Sequence, residues 1–73
     1  MKHDTTMQDG IQATLKALTV ILRQATTDAD VAHQHICRNE QNIAVGAIIP
    51  VEDMLDRALT LYKAVIAMHR FKV

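Results

Sequence analysis

The residues of this chain whose types could support chemistry form two groups, one in the middle of the sequence and one near its end. His33, Cys37 and Glu40 follow one another at spacings of four and three, so on a helix their side chains share one face. Tyr62 and His69 are seven residues apart and share a face of a second helical segment. Imidazole, thiol, phenol and carboxylate groups bind metals and transfer protons, so these five residues are the first candidates for a site.

Metal binding and catalysis are nevertheless weakly supported by these residues. One helix supplies too few ligands for a closed tetrahedral site, and His3 and His35 have no spacing that would complete it. The chain has no serine, and a Cys37–His33 pair on one helical turn provides neither an oxyanion hole nor a cleft. We therefore predict a protein that is not an enzyme and that has no bound metal or cofactor.

The same polar residues suit a binding site, because they interrupt helix faces that are otherwise aliphatic. Arginine guanidinium groups favour carboxylate and phosphate, so a small polar or anionic ligand, for example a nucleotide-like one, fits this set. The competing interpretation is that the groups pair with one another at a helix interface and fix its register. The predicted ligand-binding residues are His33, Cys37, Arg38, Glu40, Arg57, Tyr62 and His69.

Length and composition limit what can position such residues. The 73 residues suffice for a single domain, and a content of 49% hydrophobic but only 3% aromatic residues predicts an aliphatic, alanine-rich core. Eight Lys and Arg balance eight Asp and Glu, which argues against binding nucleic acid or an anionic membrane through bulk charge. A lone cysteine, no secretion signal and no apolar run of membrane-spanning length together predict a cytoplasmic protein.

Apolar spacing predicts an all-α fold, a small bundle of two to three helices in which a long N-terminal helical region packs against a C-terminal antiparallel helix. Thr26, Thr27 and Asp28 favour a new helix start, although one continuous helix over about residues 8–45 is the alternative. The predicted elements are a flexible N-terminus at 1–7 and helices at 8–25, 28–46 and 50–71.

The reversal of the chain is predicted between the last two helices. Gly46 can end a helix with a positive φ angle, and Pro50 suits the first position of the next one. Counting outward from a tight turn there pairs Glu40 with Arg57, His33 with Val65 and Tyr62 with Cys37.

The last helix has an apolar arc of about 180°, which is wider than one neighbouring helix covers. This width predicts burial on two sides, either inside a three-helix bundle or between subunits of a homo-oligomer. The predicted function is a non-catalytic homo-oligomeric binding module that captures a small polar ligand at a subunit interface, or that masks a partner protein as a small accessory inhibitor. The alternatives are a purely structural assembly protein and, less favoured by the zero net charge, a helix-turn-helix nucleic-acid regulator.

Overall fold

A computed structural model describes residues 5–71 and shows three helices without a strand in that range. Helix α1 spans Thr5–Cys37, α2 spans Gln41–Ile48 and α3 spans Val51–Arg70. The predicted all-α class is confirmed. Helix α1 packs against both α2 and α3, and the resulting hairpin measures 61 × 14 × 12 Å between its outermost Cα positions.

Helix α1 is continuous through the segment where a break was predicted. The Thr27 hydroxyl donates a hydrogen bond back to the Arg23 carbonyl at 3.1 Å, and the Gln24 amide donates to Asp28 at 3.0 Å. Because these polar groups find partners within the helix, they do not cap a new one. The predicted separation into helices 8–25 and 28–46 is therefore wrong, and the continuous alternative describes this segment better.

The predicted flexible N-terminus at 1–7 is also partly corrected. Residues 1–4 lie outside the described part of the chain, whereas Thr5 to Met7 already belong to α1.

The chain reverses at Arg38–Glu40. Asn39 adopts a φ angle of 61°, the left-handed conformation that asparagine tolerates better than most residues. The Asn39 N–H donates to the Ile36 carbonyl at 3.0 Å, and the Glu40 N–H donates to the His35 carbonyl at 2.9 Å. This pair of bonds is a Schellman motif, which ends α1 and directs the chain back along it. The predicted reversal at Gly46–Pro50 is therefore wrong.

Gly46 lies inside α2 without a positive φ angle, so it does not end a helix. Ile49 and Pro50 also keep right-handed helical angles, with φ of −52° and −65°. The Ile49 N–H still donates to the Val45 carbonyl at 3.1 Å, but proline has no N–H to continue the series. Helices α2 and α3 therefore form one bent arm that runs antiparallel to α1.

The two arms meet along a seam of residues spaced by three and four. A Cβ atom built at Gly10 would lie 3.2 Å from the Met68 sulfur, which places the start of α1 beside the end of α3. Most of the buried residues in the seam are alanine. Because this side chain is small, the two arms approach each other closely. The buried residues, 7–9% exposed, are Ala25, Ala32, Ala44, Val51 and Ala58.

Candidate functional site

The position of the turn separates the predicted site residues. Glu40 and Arg57 are 17 positions apart on the same arm, which corresponds to about 25 Å at the helical rise. Arg57 instead pairs with Asp53 one turn away, Nη2 to Oδ2 at 3.0 Å, and both side chains are more than two-thirds exposed. The predicted Glu40–Arg57 pairing is therefore wrong, because it required the reversal at Gly46–Pro50.

The other two predicted pairings fail for the same reason. His33 and Cys37 lie within five residues of the turn, whereas Tyr62 and Val65 lie more than 20 residues beyond it on the second arm. The separations along the hairpin are about 30 Å for each pair. Tyr62 and His69 are both exposed on α3, so the seven predicted residues are distributed over most of the hairpin.

His33 and Cys37 do meet, with the Cys37 sulfur 3.6 Å from the His33 Nε2 atom. Both side chains are exposed near the end of α1. Within residues 5–71, no group of three His, Cys, Asp or Glu side chains is placed to hold a metal ion. The assignment of His33 and Cys37 to ligand binding stays a prediction, because their contact lies within one exposed turn of a helix and forms no pocket.

The turn holds one polar contact that sequence spacing missed. The His35 Nδ1 atom lies 2.7 Å from the Glu40 Oε1 atom, and the two side chains are 26% and 39% exposed. The sequence spacing groups Glu40 with His33 and Cys37 on one helix face and gives His35 no partner. A separation of five residues brings side chains together only across a turn, so the contact depends on the left-handed Asn39. Arg38 is exposed in the same turn.

Concave features offer little to a small ligand in the described part of the chain. One open depression lies on the side of α1 and is lined by Thr19, Leu22, Arg23, Thr26 and Thr27. All five residues come from a single helix, so the depression has a floor but no opposite wall. Within residues 5–71, no helix combines the length and hydrophobicity that crossing a bilayer requires.

The most distinctive surface is instead a set of large apolar side chains that the hairpin leaves uncovered. Each of them follows directly after a buried or half-buried seam residue, and in an antiparallel pair such positions lie on the same side of both arms. These seam residues are Thr14, Ile21, His35, Ala44, Ala47, Met54, Ala58 and Leu61. The residues that follow them are 39–54% exposed. We call this surface the apolar face, and it consists of Leu15, Leu22, Ile36, Val45, Ile48, Leu55, Leu59 and Tyr62.

The apolar face is almost free of charge. Every described Lys and Arg lies either on the outer surface of its helix, away from the seam, or on the side of the hairpin opposite the apolar face. Glu52 is the one described acidic residue on the same side as the apolar face. The face also accounts for the wide apolar arc of the last helix. One part of that arc, including Ala58, packs on α1, while Leu55, Leu59 and Tyr62 remain uncovered in the single chain.

Comparison of the chain with protein-family models, with curated proteins and with solved structures finds no match.

Proposed function

We propose that this protein is a non-catalytic helical binding module that acts through its apolar face. The observation that carries the proposal is the contrast between what the hairpin buries and what it exposes. Within residues 5–71, four of the five buried residues are alanine, whereas 13 large hydrophobic residues are exposed, eight of them on the apolar face. Contiguous exposed apolar surface of this kind is typical of sites for protein–protein interaction.

The shape of the face favours a helical partner. Two antiparallel helices present their apolar side chains in two parallel rows, and a groove between such rows accepts the apolar stripe of another helix. The face contains one hydroxyl group, that of Tyr62, and no charged group among its eight members. This chemistry suits binding by burial of apolar area rather than proton transfer or nucleophilic attack.

Photo-crosslinking in cells tests this proposal. Benzoylphenylalanine introduced at Tyr62, which is 54% exposed on the face, should capture a protein when the cells are irradiated. The matched control is the same substitution at Phe71, which is 74% exposed but lies outside the face. We expect a discrete adduct from position 62 and at most a faint one from position 71. Equal labelling from both positions, or none from position 62, would refute the proposal.

A further inference from the structure

We infer that the partner of the apolar face is a second copy of this chain, docked face to face with its long axis antiparallel to the first. Two hairpins would then form a four-helix bundle whose central layer is the apolar face of each. This inference rests on the proposed function and adds the identity and the orientation of the partner.

The side of the hairpin that carries the apolar face is large enough for a stable dimer interface. The whole hairpin extends 61 by 14 Å between its outermost Cα positions, so one side has a projected area of about 850 Å². Specific protein interfaces bury about 800 Å² on each partner. A second hairpin has the same length and width, so it covers the whole face, whereas a single helix covers only one groove along it.

The polarity of the face permits contact with a copy of itself. In a two-fold dimer the same patch occurs on both sides, so any charge near the centre would meet the same charge or be buried alone. The face has no charged member. Glu52 lies at its outer edge but only two residues from Met54, so the two Glu52 side chains of an antiparallel dimer lie near each other at the solvent-exposed rim. Burial of eight large aliphatic and aromatic residues on each copy therefore desolvates no charged member of the face.

The distribution of charge along the hairpin favours the antiparallel orientation through long-range attraction, since the Lys and Arg side chains lie outside the apolar face. Ala25 and Met54 lie 14 and 15 residues from the turn at Asn39, and they divide the hairpin near the middle of the apolar face. The half containing the turn, residues 26–54, has a net charge of −4. Its charged residues are Arg38 against Asp28, Asp30, Glu40, Glu52 and Asp53.

The open half, residues 5–25 and 55–71, has a net charge of +3. Its charged residues are Lys16, Arg23, Arg57, Lys63 and Arg70 against Asp9 and Asp56. Antiparallel docking places the negative half of each copy against the positive half of the other, whereas parallel docking places like against like. Because exposed charges are screened beyond about 10 Å at 0.1 M salt, this preference should weaken as salt increases.

Sedimentation equilibrium of the full chain tests the identity of the partner. The wild-type protein should have twice the 8.2 kDa mass of one chain. Leu55→Glu places a charge at the centre of the face and should shift the protein to monomer, with the dissociation constant rising at least 100-fold. Val20→Glu is the matched control, because Val20 is also 53% exposed but lies on the opposite side of the hairpin. This control should remain dimeric.

The lone cysteine allows the orientation to be measured without any substitution. Cys37 is exposed and lies 12 residues from Ala25, so spin labels on the two copies should be about 36 Å apart in the antiparallel dimer. In a parallel dimer both turns lie at the same end, so the labels would be much closer together, separated only by the thickness of the two stacked hairpins. Pulsed electron–electron double resonance distinguishes these two distances.

The outcomes separate the two proposals. A wild-type monomer together with an adduct from position 62 to a different protein would overturn the dimer and leave the binding module standing. A monomer without any adduct would overturn both. A dimer that survives Leu55→Glu would refute this face as the interface, and a short Cys37 distance would refute the antiparallel orientation.

Discussion

The chain interrupts its helices at two places, Arg38–Glu40 and Ile49–Pro50, with opposite consequences. The first contains neither glycine nor proline, yet it reverses the chain through the left-handed Asn39 and two backbone hydrogen bonds. The second contains the only proline and closely follows Gly46, yet it only bends an arm whose backbone angles stay helical.

The difference shows that a residue that interrupts a helix does not by itself reverse the direction of the chain. Proline removes one N–H donor and bends the helix, but it does not reverse the chain when its φ angle near −65° fits a helix. A single left-handed residue changes the direction of the backbone, and the bonds from Asn39 and Glu40 then satisfy the last carbonyl groups of α1. Substitutions near the two interruptions test this difference through their effects on the free energy of unfolding.

The largest effect is expected for Asn39→Val. A β-branched residue in the left-handed region costs about 1–2 kcal/mol, so the free energy of unfolding should fall by that amount. Ile49→Val at the bend should change it by less than about 0.5 kcal/mol, because Ile49 is 65% exposed and helical. Urea denaturation at one fixed protein concentration measures both variants. Equal losses at the two positions would contradict the assignment of the reversal to Asn39.

Gly46→Ala is expected to raise the free energy of unfolding rather than lower it. A Cβ atom at this position has no neighbour within 4 Å, and the backbone is helical, so the substitution should stabilise the fold by about 0.5–1 kcal/mol. Gly10→Ala is the matched comparison, since its Cβ would meet the Met68 sulfur at 3.2 Å and should gain less. Thermal unfolding followed by circular dichroism reports both. A loss of stability at Gly46 would show that the bend needs glycine.

The smallest effect is expected for Glu40→Gln at the turn. The substitution keeps the size of the side chain but removes the charge from the 2.7 Å contact with His35. Because Glu40 is 39% exposed and solvent screens the pair, the loss should be about 0.5 kcal/mol or less. Asp53→Asn, in the more exposed pair with Arg57, should change the free energy of unfolding even less. A larger loss at Asp53 than at Glu40 would reverse this order.

Spacing in the sequence predicted the helical class and most of the apolar pattern. The three- and four-residue spacing of Leu15, Leu18 and Leu22 indicated an amphipathic helix, and the wide arc around Leu55 and Tyr62 indicated a surface that one neighbour does not cover. Both features depend only on residue type and the 3.6-residue helical period. The homo-oligomer inferred from the arc stays a prediction.

The predicted site pairings failed because spacing within one helix says nothing about which segments meet. Gly46 and Pro50 provided the strongest local signals for a turn, while Asn39 provided a weaker one in a run of helix-forming residues. Moving the reversal from residues 46–50 to residues 38–40 changes every cross-arm pairing. Tyr62 thereby moves from the neighbourhood of Cys37 to the open half of the hairpin.

The sequence by itself determined that this protein is helical, which residues share a face on each helix, and that its charges sum to zero. Those properties follow from local geometry and composition. The tertiary structure alone decided where the chain turns, and hence that His35 meets Glu40 and that an alanine-lined seam joins the arms. The physical reason is that a hairpin closes only when one residue adopts a left-handed conformation and the two arms pack against each other. The free energy of that packing depends on residues far apart in the sequence, so a local sequence pattern does not predict it.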